Sequence, residues 1–383
     1  MNSIESMLKK KFKKSGGGPE QFSHGPGCDL PDETDFNATL ALERKRAERS
    51  RRPLILMLLD VSNHHLVTNG SDPVQAVTDR LAASTRETDT KGWYVNDRII
   101  GVVFTELGQA TVAEAKEKIK ERVLDELQAD LEPHQFRNIR VSFHVFPEDH
   151  DIPKSRVSPD LSLYPDLIAE QSSKEIALTL KRMIDITGSL LGLIVLSPLF
   201  AAISILIKLT SRGPVFYRQE RVGQFGKRFV FLKFRSMFVD NDPGIHKAFV
   251  KNLICLEAND RKDDCVYKIQ DDPRVTPVGR FIRKTSLDEL PQFINVLQGE
   301  MSLVGPRPPI PYELEFYNIW HRRRILEMKP GITGLWQVKG RSSTTFDEMV
   351  RLDIRYHTQW SLLLDFMLLL QTPMAVLKGK GAY

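Results

Sequence analysis

Cysteine is nearly missing from this chain. Only Cys28, Cys255 and Cys265 occur, an odd number without metal-type spacing. That excludes a disulfide framework and reads as a reduced, cytosol-facing protein. An early apolar run is missing too: the N-terminus is polar, which argues against a secretory signal peptide. Charge of one sign is only mildly in excess, with 54 Lys and Arg against 49 Asp and Glu. The surplus is gathered into clusters at 9–14, 44–52, 218–235, 274–284 and 322–324. On charge alone these suit anionic lipid, phosphate ligands or nucleic acid equally. Long apolar runs are scarce, and a single one, at 183–207, is of membrane grade. What remains is a length of 383 residues, room for two domains plus tails.

Residues 1–52 are rich in Lys, Arg, Gly and Glu, with few large apolar side chains, and read as a disordered basic tail. Residues 53–150 read as a compact module. Leu54–Val61 is a continuous apolar run of strand length, and 73–85 has helical periodicity. Residues 91–107 pattern as two strands about a tight Asn96-Asp97 turn, 111–131 as a helix and 139–149 as a last strand. The order βαββαβ predicts a ferredoxin-like α+β sandwich. The module resembles a nucleotide-cyclase or diguanylate-cyclase-like domain, with Asp60 ending the first strand and Asn96-Asp97 on the hairpin, where such enzymes carry metal-binding acids. The hairpin here is Tyr94-Val95-Asn96-Asp97-Arg98 and not a Gly-Gly-acidic signature. The resemblance therefore implies a degenerate regulatory or dimerisation module. Residues 151–178, with Pro153, Pro159 and Pro165, read as a linker.

From Ile186 to Ile207 the membrane-grade stretch has 22 residues and no charge, about 33 Å as a straight helix. Two features oppose simple crossing. Ser197-Pro198 sits near its middle, where proline removes a hydrogen bond and kinks a helix. Lys181 and Arg182 precede it and Lys208 and Arg212 follow, so both ends belong on the cytosolic side. A kinked, re-entrant helix satisfies both features; an ordinary span and a buried core helix are the other readings.

Residues 213–237 then pattern as strand, turn at Gly223–Gly226, strand. Period-two alternation puts Lys233 and Arg235 on one face, either a phosphate grip or a solvated sheet face. Residues 240–270 are polar and read as a helix and loop. The decisive stretch is 280–309, in which the adjacent carboxylates Asp288 and Glu289 follow the basic run Arg280, Arg283 and Lys284. A rigid Gly-Pro-Arg-Pro-Pro turn carrying Arg307 closes it. Carboxylates that work on a phosphate need such company, because cations offset the phosphoryl charge while an acid attacks or holds a metal. Ser286-x-x-Glu289 also has capping-box spacing, which predicts a helix starting at the acids and by itself makes Glu289 structural. Further on, 312–328 patterns as a helix and 329–342 as a Gly-broken loop. The apolar 361–377, interrupted by Asp365 and Pro373 and preceded by Arg351, Arg355 and Trp360, suits an interfacial helix.

Taken in order, these pieces resemble the bacterial sugar transferases of the small monotopic phosphoglycosyl transferase type. The resemblance covers 179–383. It is carried by Lys181-Arg182-Met183-Ile184-Asp185, Ser197-Pro198, Gly213-Pro214-Val215-Phe216, Gln219-Glu220-Arg221-Val222-Gly223 and Phe234-Arg235-Ser236-Met237. It continues through 283–292, Asn295-Val296, 301–308 and 329–334. It implies an α/β (α+β) chain whose transferase domain carries the re-entrant helix 183–207, broken at Ser197-Pro198, on the cytoplasmic face of the bacterial inner membrane. It implies transfer of a sugar 1-phosphate from a UDP-sugar to undecaprenyl phosphate, releasing UMP, the first membrane step of polysaccharide synthesis. Asp288 would be the nucleophile and, with Glu289, would hold Mg²⁺. Arg283, Arg307, Lys233, Arg235 and Arg274 are the expected substrate contacts, a homodimer is the expected assembly, and nucleic acid is not a partner. Many larger relatives carry N-terminal membrane spans where this chain has its cyclase-like module. Two other classes fit parts of the chain: a membrane-tethered cyclic-nucleotide receptor with an inactive transferase half, and a basic nucleic-acid binder, for which no recognisable fold is present.

Overall fold

The structure is a computed structural model. It describes residues 30–62, 73–108, 110–130, 136, 139–148, 160–239, 244–255, 272, 274–340 and 344–377. The basic run at 9–14, Cys28, Cys265 and most of the helix-and-loop region at 240–270 lie outside the described residues. The chain divides into two compact units, the described residues of Met1–Ile152 with Asp160–Ser173, and those of Pro153–Pro159 with Lys174–Tyr383.

The first unit opens with helix α1 (Glu33–Ser50), followed by β1 (Leu54–Asp60), α2 (Pro73–Ser84), β2 (Thr90–Val95), β3 (Ile99–Phe104), α3 (Val112–Asp130) and β4 (Arg140–Phe146). The strands form one antiparallel sheet in the order β2-β3-β1-β4. Strand β1 is buried at every position, as a central strand with both faces covered must be. Ile55, Met57 and Leu59 join Val77 and Leu81 of α2 and Ile119, Val123 and Leu127 of α3 in one core.

Helix α1 corrects the expectation that residues 1–52 are a disordered tail. Asp32 caps it by accepting from the Asp35 N–H at 2.9 Å, and Phe36, Leu40, Ala41, Arg44 and Ala47 are buried. The Phe36 ring lies against the register-paired Gly92 and Gly101, at distances that a Cβ on either glycine would forbid. The helix was hidden because most of its positions are polar or charged and only a few apolar side chains mark its inner face. The linker expectation shifts as well. Residues 160–173, a 3₁₀ turn (Leu161–Leu163) and helix α4 (Pro165–Ser173), belong to this first unit. Buried Arg44 makes a forked pair with Asp166 at 2.9 and 3.0 Å and stands over the Tyr164 ring, and the Tyr94 hydroxyl donates to the Ser162 carbonyl.

In the second unit, α5 (Glu175–Val195) and α6 (Ser197–Thr210) meet at an angle of 61° across Leu196. Pro198 sits in the first turn of α6, where no amide donor is needed, and the Ser197 hydroxyl donates back to the Ile194 carbonyl at 2.8 Å. Among the described residues no single helix is long and apolar enough to cross a membrane; this bent pair passes the test jointly. Leu190, Leu191, Ile194, Val195, Ile205, Leu206 and Leu209 are exposed on it.

Then come the hairpin β5 (Phe216–Val222) and β6 (Arg228–Phe234), α7 (Gly244–Cys255), α8 (Pro277–Lys284), α9 (Gln292–Gln298) and β7 (Ser302–Val304). The short helix α10 (Arg323–Leu326) precedes β8 (Gly331–Thr333), α11 (Leu335–Lys339), α12 (Phe346–Thr358) and α13 (Leu362–Leu377). The single helix expected over 312–328 is instead two 3₁₀ segments (Pro311–Phe316 and Ile319–Arg322) followed by α10. The expected loop 329–342 carries β8, which pairs in parallel with β7. That pairing requires glycine: a Cβ on Gly331 would stand 2.0 Å from the Gly305 nitrogen.

Charged residues at the start of α5 fasten it to this frame. Buried Lys181 donates to the Val304 carbonyl at 3.0 Å and to Asp365 of α13 at 2.6 Å. Arg182 caps the C-terminal end of α9 through the Val296 and Leu297 carbonyls, and Asp185 accepts from the Ser302 hydroxyl and the Leu303 amide.

Candidate active site

The acids occupy a tighter turn than their spacing predicts. Helix α8 ends at Lys284, Ser286 takes the left-handed conformation at φ 57°, and Leu287–Glu289 form one 3₁₀ turn before α9. Ser286 makes no side-chain cap, so the capping-box expectation is corrected: a left-handed residue turns the chain, and Thr285 instead donates back to the Phe281 carbonyl. The result turns Asp288 inward, with its side chain about 10% exposed, and leaves Glu289 at 29%.

Lys233 lies against both acids. Its Nζ is 2.8 Å from Glu289 Oε1 and 3.7 Å from Asp288 Oδ2. Fully buried Asn295 of α9 fixes the strand that delivers it. Asn295 donates to the Val230 carbonyl at 2.7 Å and accepts from the Leu232 amide at 3.0 Å, pairing the edge of β6 on either side of Phe231, just before that lysine. Replacing Lys233 by Met leaves the hairpin intact and removes the cation shared by the acids. Turnover is expected to fall about a hundredfold, with partial recovery in Lys233→Arg. Unchanged turnover in Lys233→Met would remove the lysine from the site.

The arginines separate into three kinds. Arg283 is half-buried; burial lowers its pKa below the ordinary guanidinium value, with Asp288 and Asp272 opposing and Arg274 and Arg307 reinforcing the change. It is therefore within electrostatic reach of the nucleophile candidate and of two other cations. Arg274 is in a forked pair with buried Asp272 at 2.8 and 2.7 Å, so its charge reaches the site from a fixed position. Arg307, in the Pro-rich turn, makes no side-chain hydrogen bond among the described residues, and its carbonyl accepts from Arg324 at 2.9 Å. Arg235 is the correction. Its guanidinium donates to the Arg212 and Ser211 carbonyls and the Ser211 hydroxyl, capping the C-terminal end of α6. Hairpin pairing reaches Arg235, whose amide donates to the Val215 carbonyl at 2.9 Å, but its guanidinium is taken by the end of α6 and not by the acids that Lys233 meets. Ser197 and Pro198 stand at the α5–α6 bend.

Sequence reasoning passed over Arg221, His246 and Tyr312. Arg221 on β5 is buried, donates to the Pro308 carbonyl at 2.8 Å, and has its pKa pushed down to about 10, first by burial and then by Arg307. His246 lies on α7, inside a stretch without pattern that carried no signal of its own.

Two adjacent carboxylates are a partial cation site. Among the described residues no group of three or more His, Cys, Asp or Glu could hold a metal. Asp288 and Glu289 still fit Mg²⁺ by chemistry: both offer hard oxygen, both already face a cation in Lys233, and Mg²⁺ commonly takes one or two carboxylates and completes its shell with phosphate oxygens and water.

A buried acid beside a half-exposed one, a lysine shared between them and guanidinium groups gathered around define an enzyme site for phosphorylated substrates. Residues 176–379 match the bacterial sugar transferase family, and the chain belongs to it. It is 47% identical over 204 residues to the galactosyl transferase CpsE of Streptococcus agalactiae, covering 53% of this chain and 43% of that one. It is 42% identical over 203 residues to the exopolysaccharide production protein ExoY of Sinorhizobium fredii, covering 53% and 88%. The undecaprenyl-phosphate galactose phosphotransferase of Salmonella typhimurium is 46% identical over 219 residues, covering 56% and 43%. The chain thus spans less than half the length of CpsE and of the Salmonella protein, and most of ExoY.

Proposed function

We propose that the second unit transfers a sugar 1-phosphate from a UDP-sugar to undecaprenyl phosphate, releasing UMP, at the cytoplasmic face of the bacterial inner membrane. The observation that carries this reading is Asp288, buried under Lys233 and beside Arg283, in a chain of this family. One Asp288 oxygen attacks the phosphorus that carries the sugar. The bond from that phosphorus to the bridging oxygen breaks, and its electron pair leaves with UMP. An oxygen of the lipid phosphate then attacks the same phosphorus, the bond to Asp288 breaks, and the carboxylate returns. Lys233, Arg283 and Arg307 offset the phosphoryl charge. Asp288 and Glu289 would hold Mg²⁺, which supplies charge neutralisation at the phosphate oxygens when bound.

The lipid substrate sets the placement. The bent pair α5–α6 is read as a re-entrant membrane helix, with its exposed leucines and isoleucines in the acyl layer. Helix α13, with Leu363, Phe366, Leu370 and Met374 exposed, lies at the interface, as does α8 with exposed Phe281 between Arg280 and Lys284. The first unit is read as a ferredoxin-like, degenerate cyclase module with a regulatory and dimerising role. Its would-be metal positions serve structure: Asp60 accepts from the Ser62 amide at 3.0 Å, and Asn96 accepts from the Glu33 amide at 2.9 Å.

The test is UMP release by detergent-purified protein with undecaprenyl phosphate and Mg²⁺ across a panel of UDP-sugars. Release from one donor, dependent on the lipid for continued turnover, is the expected result. A protein that yields no UMP from any UDP-sugar overturns the reading.

A further inference from the structure

Beside the acids is a second concentration of charge that the transfer step does not by itself explain. His246 lines a pocket with Arg307, Glu313 and Arg324, floored by Phe249 and Trp336. Its Nδ1 meets the Tyr312 hydroxyl in a short hydrogen bond, and its ring packs edge-on against Tyr312 and tilted against Phe249. Burial first, and then the charges of Arg221, Arg307, Arg274 and Arg283, push its pKa down to about 4, so the imidazole is neutral at cellular pH. Those four guanidinium groups come from β5, the turn before α8, α8 itself and the Pro-rich turn. Asp272 engages Arg274, and Glu313 stands 4.0 Å from Arg221. Arg283 and Arg307 make no side-chain hydrogen bond among the described residues. At the pocket wall, the Nε of Arg324, a residue 4% exposed, is buried without a hydrogen-bond partner. Asp353 pairs with Arg324 at 2.8 Å, and Asp288 and Asp272 oppose the charge of Arg283, so among the described residues Arg307 is the cation of this set that a phosphate can complete.

We propose that His246, oriented by Tyr312 and set beside Arg307, forms part of the nucleotide subsite and donates a hydrogen bond to the phosphate that leaves with the nucleoside. The inference rests on the transferase reading and adds residues to it. When the Tyr312 hydroxyl donates to Nδ1, the neutral ring carries its proton on Nε2, a donor that adds no further charge among four cations. Arg307 offsets the charge of that phosphate from the Pro-rich turn, beside His246 at the pocket lining. His246 is thus a binding residue for the donor and for the released product, with no contact to the lipid phosphate.

The experiment measures binding of UMP, UDP and undecaprenyl phosphate to the full chain in detergent with Mg²⁺, for the wild type, His246→Ala, His246→Asn and Tyr312→Phe. Thermal midpoints confirm that each variant is folded. Loss of a hydrogen bond to a charged group predicts UDP and UMP affinity about ten- to a hundredfold weaker in His246→Ala, partly restored in His246→Asn, with lipid affinity unchanged. Equal UDP affinity in wild type and His246→Ala overturns the subsite. A loss confined to undecaprenyl phosphate also overturns it and leaves the transfer reaction standing. Wild type that binds neither UMP nor UDP sinks the subsite and the transferase reading together. Should His246→Ala not fold, Tyr312→Phe alone decides: it removes only one hydroxyl, and unchanged nucleotide affinity there counts against the proposal.

Discussion

Asp288→Asn is expected to abolish UMP release, by roughly four orders of magnitude or more, while leaving the thermal midpoint close to that of the wild type. The side chain keeps its size, and Lys233 keeps its 2.8 Å contact with Glu289, so the turn has no reason to open. On the proposed mechanism, what disappears is the negative oxygen that attacks phosphorus. The amide cannot form the covalent phosphosugar, so both half-reactions are lost. Incubation with the UDP-sugar alone separates the steps: wild type releases one burst of UMP per chain without lipid, and Asp288→Asn releases none. Glu289→Gln behaves differently. Its group holds charge near the phosphates without bonding to phosphorus, so the burst persists but slows, and added Mg²⁺ recovers part of the rate. UMP release undiminished in Asp288→Asn would falsify the nucleophile assignment and leave family membership untouched.

Much of this site was legible because its residues sit close together along the chain. Asp288, Glu289 and Arg283 lie on two consecutive short elements, so linear spacing reports their proximity. Lys233 was placed on its strand by period-two alternation, and β5 and β6 pair over the whole span from Phe216–Phe234 to Val222–Arg228. Alternation misled two residues later, at Arg235, because the sequence pattern does not show that the end of α6 captures its guanidinium. Ser286 illustrates a different failure. Serine three residues before glutamate has the chemistry of a helix cap, but the left-handed backbone at φ 57° is imposed by the packing of Ile282, Leu287 and Leu290 in one cluster. Helix α1 went unread because its stability comes from tertiary contacts, a phenylalanine on two glycines and an arginine on a distant aspartate, and not from its own polar sequence. His246 had no readable signal: its environment is assembled by arginines 25 to 61 residues away in sequence.

Lys181→Met is expected to have the largest effect on stability, about 3–5 kcal/mol, because it leaves the Asp365 carboxylate buried without its cation. Lys181 and Asp365 side chains are 9% and 8% exposed, and the pair is short at 2.6 Å. Tyr356 and Trp360 also donate to Asp365, so the carboxylate keeps hydrogen bonds in the variant but not its neutralising charge. The consequence reaches the active site through the backbone. Lys181 donates to the Val304 carbonyl, one residue before the Gly305 that begins the Pro-rich turn carrying Arg307. Releasing that carbonyl loosens the turn, so Lys181→Met lowers affinity for the UDP-sugar along with the thermal midpoint. A second variant separates charge from packing. In Lys181→Met with Asp365→Leu the unpaired charge is gone, and the midpoint should recover most of the loss. A midpoint in Lys181→Met equal to wild type would show that water reaches Asp365 and that the pair is not what fastens α5 to α13. Recovery of the midpoint without recovery of donor affinity would assign the Val304 hydrogen bond, and not the ion pair, to the positioning of Arg307.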